Sequence, residues 1–267
     1  FTDHEERQYW DDATVTHVIG KDIARFHALI WPAMLKHAGV RVPDRLLIHG
    51  FLTSEGEKMS KSLGNVVKPD DVLAHFNGNP DPLRFYLSQE VPVGQDGDFS
   101  WKRIDEIYAS KLRNLGNLLN RVLVMMKNIE SQVDFGRESI FIGVGDLVWG
   151  QYESSMNAFD LWSGVHSIIQ WIQACDKYMN DQAPWTLESN AAKTSVLSVV
   201  AENVRHIALM LLPFIPDAAQ RISKQLGVPY AAKMLDRDFV ITKEMKAWGG
   251  VKDWKTVGEP SILFPPI

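Results

Sequence analysis

The chain has 267 residues, of which 45% are hydrophobic and 23% charged, with a formal net charge of −5. At about 150 residues per domain this fits two domains of an ordinary soluble protein and excludes disorder and collagen-like repetition. The longest apolar run, Ile207–Leu212, stops at Pro213, far short of the roughly 18 residues of a membrane span, and the single cysteine, Cys175, excludes an internal disulfide or a thiolate-rich zinc site.

A reducing, cytoplasmic setting without membrane attachment is therefore expected. An acidic total excludes nucleic-acid binding over the whole surface but leaves room for a local basic face. The opening residues are polar and aromatic, unlike a signal peptide, and start at Phe1 rather than methionine. We expect a portion of a longer chain.

Thr14 to Ile19 carries β-branched residues in weak alternation and reads as a strand. A glycine turn at Gly20-Lys21 leads into helical spacing from Asp22 to His37, with a kink predicted at Pro32 and a stop at Gly39. Arg45 to Phe51 is a compact apolar run expected to form a buried strand of a parallel sheet, followed by a glycine turn within Thr53 to Glu57. Pro69-Asp70-Asp71 and Pro80-Asp81-Pro82 each open a short helix expected to bridge two domains. From about Trp101 the pattern turns to long helices, predicted over 102–128, 145–181, 191–212 and 216–226. The closing S-I-L-F-P-P-I is apolar enough to pack back on the body.

The loop Lys58-Met59-Ser60-Lys61-Ser62-Leu63-Gly64-Asn65 places two lysines three residues apart beside small hydroxyl and glycine residues. Ammonium groups stabilise charge developing on phosphate oxygens, and small residues let backbone N–H groups approach. A solvated basic hairpin tip is the plainer alternative for any K-x-x-K. On the helix 102–128, Asn117 and Arg121 share a face while Ile104, Tyr108, Leu115, Leu119, Val122 and Met126 lie on the other side. Six basic residues there, Lys102, Arg103, Lys111, Arg113, Arg121 and Lys127, outnumber Asp105 and Glu106, so the face suits RNA as well as plain solvation. In Asp181-Gln182-Ala183-Pro184-Trp185, proline fixes the backbone and can present the indole for base stacking, the alternative being an interhelical core tryptophan.

K-M-S-K-S-L-G-N resembles the second signature of class I aminoacyl-tRNA synthetases. H-V-I-G-K-D-I-A-R-F-H (His17 to His27), N-L-L-N-R (Asn117 to Arg121) and the Pro184-Trp185 element narrow the resemblance to the methionyl family. It implies an α/β plus all-α fold. Residues 1–104 would form the C-terminal part of a Rossmann-type catalytic domain, with the lysine loop and a connecting stem-contact region, and 105–267 an α-helical anticodon-binding domain with a tail. The family's H-I-G-H signature does not occur here, so the first half of the nucleotide fold is expected to be missing. The inserted domain, often zinc-binding, is expected to be missing too.

The resemblance implies catalytic roles for Lys58 and Lys61. It implies ATP contacts for Gly20, Asp22, His49, Leu52, Lys58, Met59, Ser60 and Lys61, and methionine contacts for Ile23 and His27. Anticodon contacts are implied for Asn117, Arg121, Pro184 and Trp185. For His17, His27 and His49 the competing reading is a hydrogen-bonded histidine of an α/β core. The implied substrates and partners are methionine, ATP with Mg2+, and tRNA-Met, with no metal site in this chain and a monomer expected. The implied reaction is methionine-tRNA ligation, in which the methionine carboxylate attacks the ATP α-phosphate and the tRNA hydroxyl then attacks the adenylate. Two alternatives stay open: an RNA-binding module without catalysis, and a class I synthetase of another specificity.

Overall fold

A computed structural model describes residues 9–129, 141–251, 253–254 and 257–267. Contacts divide them into two compact units. One runs up to Val66 and includes Glu90–Phe99; the other comprises Val67–Gln89 and Ser100–Ile267.

In the first unit, strands β1 (Thr16–Gly20) and β2 (Arg45–His49) pair in parallel, with Gly20 opposite His49 at their carboxyl ends. The segment between them is helical but uneven: a 3-10 turn over Lys21–Ile23, a π turn over Phe26–Ile30, then helix α1 (Trp31–His37). Pro32 falls in the first turn of α1, where its missing N–H costs little, so the wide π turn takes the place of the expected kink. Gly39, at φ +71°, closes the helix as predicted, with Val40 N–H donating to Leu35 O and Gly39 N–H to Lys36 O.

Strand β2 departs from expectation. Leu46, Leu47 and Ile48 are only half-buried, because the parallel sheet has two strands among the described residues and offers little to cover them. A second sheet holds β3 (Leu52–Ser54) between β4 (Glu57–Lys58) and β5 (Gly97–Phe99). The β3–β4 hairpin turns on Glu55 and Gly56, both at positive φ, the geometry that matches strand twist in a two-residue loop.

The second unit is helical. Short helices α2 (Pro69–His75) and α3 (Asp81–Glu90) precede α4 (Trp101–Ile107), which runs through a π turn, Tyr108–Leu112, into α5 (Arg113–Asn128). The single helix expected over 145–181 is two. Helix α6 (Phe141–Asn157) and helix α7 (Leu161–Gln182) are separated by Phe159 at φ +59° and by Asp160, whose carboxylate accepts from Ser163 N–H at 3.0 Å and caps α7. Helices α8 (Asn190–Leu211), α9 (Pro216–Leu226) and the short α10 (Lys243–Lys246) follow.

Helix α8 is the centre of this unit, buried on every side from Val196 to Leu211. Its polar residues are therefore paired internally. Arg205 makes a two-pronged ion pair with Glu202, at 2.7 Å on each prong, and also donates to the carbonyls of Met245 and Ala247. Burial alone would raise the Glu202 carboxyl, but hydrogen bonds from Arg205 and His206 hold it down at about 2. His206 is stacked between Trp171 and Trp248, and its Nδ1 accepts from Trp149 Nε1 at 3.0 Å. Its Nε2 lies 2.9 Å from the Arg205 guanidinium and 3.3 Å from the Glu202 carboxylate, and burial lowers the affinity of the ring for a proton.

The tail folds back as its composition predicts. Leu263 and Phe264 are buried, while Pro265 O accepts from Tyr108 Oη and Leu263 O from Arg221.

Asp81, fully buried at the start of α3, accepts from Ala218 N–H at 2.7 Å and so caps α9 from another helix, while its second oxygen has no partner. Burial, reinforced by the Asp217 charge and opposed by the Ala218 hydrogen bond, raises its carboxyl to about 6. The folded state therefore favours the neutral acid, and this contribution is complete below the unfolded value and lost as pH rises through about 6. Asp81→Asn should gain stability relative to the parent by up to about 3 kcal/mol between pH 4 and 6, measured by urea unfolding at each pH.

Candidate functional site

The residues singled out in the sequence fall into two groups, one in each unit. In the first unit, Gly20 and His49 end the paired parallel strands, where ligands of open α/β sheets bind. The Asp22 carboxylate folds back over Gly20, and a Cβ there would lie 2.7 Å from its Oδ1. His49 Nδ1 donates to Gly50 O at 2.9 Å. Gly50 itself is pressed against the backbone of Gln95 and Asp96, so any side chain would collide with the Gln95 carbonyl. Ile23 and His27 lie one turn apart; Ile23 is exposed, and His27 Nδ1 is 3.4 Å from His17 Nδ1 with the rings edge to face. The three histidines are partly or largely accessible, unlike core histidines.

The lysine loop follows β4. Asn65 closes it: its Oδ1 accepts from Ser60 N–H at 2.8 Å and its Nδ2 donates to Lys58 O at 3.2 Å, while the hydroxyls of Ser60 and Ser62 are 2.7 Å apart. Lys58 and Lys61 are exposed and in no ion pair among the described residues, and Met59 is half-buried. Lys58 Nζ lies 5.9 Å from the centre of the Phe51 ring and Lys21 Nζ 4.7 Å. Leu52 follows Phe51 as the first residue of β3.

Asp96 and Asp98, which organise this region, are not singled out by sequence reasoning. Asp96 pairs with Lys21 at 2.6 Å and accepts from Phe51 N–H at 2.8 Å, and these bonds hold its carboxyl below the usual range. Asp98 accepts from Thr53 Oγ1 and from Gly56 N–H. The only trace in the sequence is Asp-Gly-Asp, a pattern too common to assign.

In the second unit, the apolar side of α4 and α5 is buried as expected, so Asn114, Asn117, Asn120 and Arg121 line an open depression together with Asp176 from α7. Arg121 donates to Asp176 at 3.3 Å and to Asn180 Oδ1 at 3.0 Å, and its guanidinium carbon is 5.3 Å from the centre of the Trp185 ring. Ala183, left-handed at φ +39°, turns the chain sharply out of α7 into the 3-10 turn Pro184–Thr186, with Pro184 buried. Trp185 is 51% exposed, which rules out the core alternative for it.

The basic face is less charged than its composition suggests. Lys102 and Arg103 pair with Glu106, Lys127 with Glu259 and Arg121 with Asp176.

Comparison with known proteins matches residues 2–123 to the family described as tRNA synthetases class I (M). Residues 146–256 match the anticodon binding domain of methionyl tRNA ligase. A methionine–tRNA ligase of Fusobacterium nucleatum is 39% identical over 97% of this chain and 42% of its own length; one of Nostoc sp. is 37% identical over 94% and 49%. The structure of Mycobacterium tuberculosis methionyl-tRNA synthetase in complex with methionyl-adenylate superposes with a TM-score of 0.81 at 32% identity, over 99% of this chain and 52% of that one. The chain spans about half the length of the curated relatives it matches.

The two hydrogen bonds of Asn65 are worth about 1 kcal/mol each. Asn65→Ala should speed amide exchange at Ser60 roughly tenfold or more while leaving the global unfolding midpoint unchanged, as read by hydrogen exchange and thermal melting.

Proposed function

We propose, for a chain that belongs to the methionyl-tRNA synthetase family, that it supplies the lysine-loop portion of the catalytic domain and the anticodon-reading domain of a methionine–tRNA ligase. The observation that carries this reading is the assembly of Arg121, Asn117 and Trp185, distant in sequence, on one accessible face, within a chain that also presents two unneutralised lysines on a closed loop.

In the activation step, the methionine carboxylate attacks the α-phosphate of ATP and pyrophosphate leaves. Lys58 and Lys61 meet the charge that develops on the phosphate oxygens. Their neighbours help differently. Asn65 engages Ser60 N–H and holds the loop closed, so that Met59 and Ser60 stand at the nucleotide, and Gly20, Asp22, His49 and Leu52 border the nucleoside side. Ile23 and His27 face the amino acid. Magnesium would arrive with ATP and would supply charge neutralisation at its phosphates without a protein cage.

In the recognition step, a CAU anticodon is unstacked, one base lies on the Trp185 ring beside Pro184, and Asn117 and Arg121 hydrogen-bond exposed base edges. A module that binds RNA without taking part in catalysis would need only the second unit, and Lys58 and Lys61 decide between the two. In the complete enzyme Lys61→Ala should lower kcat for methionine-dependent ATP–pyrophosphate exchange by about 10² to 10³, the scale of losing one electrostatic stabiliser. Unchanged exchange would leave the binding module.

The anticodon reading needs only this chain. An RNA stem-loop carrying CAU should bind more tightly than the same stem-loop with another anticodon at one fixed salt concentration. Trp185→Ala should cost about 1 to 3 kcal/mol of that binding without lowering the melting temperature, since the ring is half-exposed. Equal binding to both loops would sink the assignment.

A further inference from the structure

The Arg121 guanidinium is not presented as a bare cation. Two residues one turn apart on α7, Asp176 and Asn180, accept from its two terminal nitrogens, and the Trp185 ring lies against its face. Among the described residues Asp176 is the only acid lining the depression, whose other walls are the amides Asn114, Asn117 and Asn120. The neighbouring Lys177 pairs with Asp181 instead, at 2.5 Å, which leaves Asp176 to Arg121. The depression thus carries one positive and one negative charge and three amides. A surface built to collect phosphates would carry excess positive charge; a neutral array of donors and acceptors matches the edges of bases.

Resting on the anticodon reading above, we infer that Asp176 is a specificity-determining and positioning residue. It cancels the Arg121 charge and, with Asn180, holds the guanidinium against Trp185, so that Arg121 reads a base edge and does not seize whichever phosphate comes near. The Arg121–Asp176 bond is long at 3.3 Å, and both side chains are partly exposed, at 36% and 45%. The carboxylate therefore keeps lone pairs to accept an exocyclic amino group, as acids do for cytosine. Because the pair is partly exposed it contributes little to folding.

The test uses the full chain, the CAU stem-loop and the altered stem-loop, each at two salt concentrations. Asp176→Asn keeps the shape and one acceptor but removes the charge. It should strengthen binding of the altered loop about tenfold while changing CAU binding less than about threefold. The salt dependence should steepen by about 0.7 in log K against log salt, one extra phosphate contact on a single strand. Asp176→Glu should restore the preference. Equal weakening of both loops, or no change in either with the melting temperature unchanged, overturns the inference while leaving anticodon reading intact. A parent chain that does not distinguish the loops and is indifferent to Arg121→Ala overturns the anticodon reading and this inference with it.

Discussion

The second unit depends on one constraint: helix α8 is enclosed on all sides from Val196 to Leu211, so polar side chains in that stretch are cut off from water. Among them, Glu202, Asn203, Arg205 and His206 must find partners within the protein. They do so by recruiting the surroundings. Trp171 of α7 donates to Asn203, Trp149 of α6 to His206, and the segment from Met245 to Gly249 wraps the Glu202–Arg205 pair with two carbonyls and an N–H. A buried ion pair is weak evidence for stability, since two charges lose their water. Here its geometry gives register. Each partner fits in one place only, and the helices around α8 are fixed in rotation as a result.

That rotation sets the outer face. On α7 the buried residues Trp171, Cys175 and Met179 form one stripe, which turns Asp176 and Asn180 away from α8. On α5 the stripe Leu115, Leu118, Leu119 and Val122 turns Asn117 and Arg121 outward in the same manner. Core packing thus delivers an arginine from one helix and its acceptors from another to within hydrogen-bonding distance. The first unit is built differently. Few of its side chains are buried, and its loops are fixed by hydrogen bonds from Asp96, Asp98 and Asn65 to backbone N–H groups.

Much of this was legible in the sequence, and what was missed has a common cause. The glycine turn before the lysine loop, the Gly39 stop, the proline-opened helices and the shared face of Asn117 and Arg121 all follow from local rules of spacing and backbone preference. The break between α6 and α7 was hidden because Phe159 adopts a conformation that a bulky residue rarely takes, so the signal rested on Asp160 alone. The half-exposed β2 reads as buried because composition records apolar character and not what covers it. Part of the excess charge of the basic face is met by Glu259 and Asp176, acids more than 50 residues away in the chain. Periodicity along one helix cannot show which acid another helix brings.

The two candidate sites answer the same electrostatic question in opposite ways. A triphosphate is a concentrated polyanion, and among the described residues Lys58 and Lys61 make no ion pair, the Phe51 ring lying 5.9 Å from Lys58 Nζ. Nothing then offsets attraction to phosphate, and the loop's own Asn65 supplies the rigidity that an ion pair would otherwise give. RNA presents phosphates at every nucleotide, so a cation that is free to follow them gains affinity and loses sequence information. Holding Arg121 between a carboxylate, an amide and an indole trades the first for the second. On the proposed reading, a chain with a net charge of −5 would rely on shape and base contacts, not bulk charge, to bring RNA to that face.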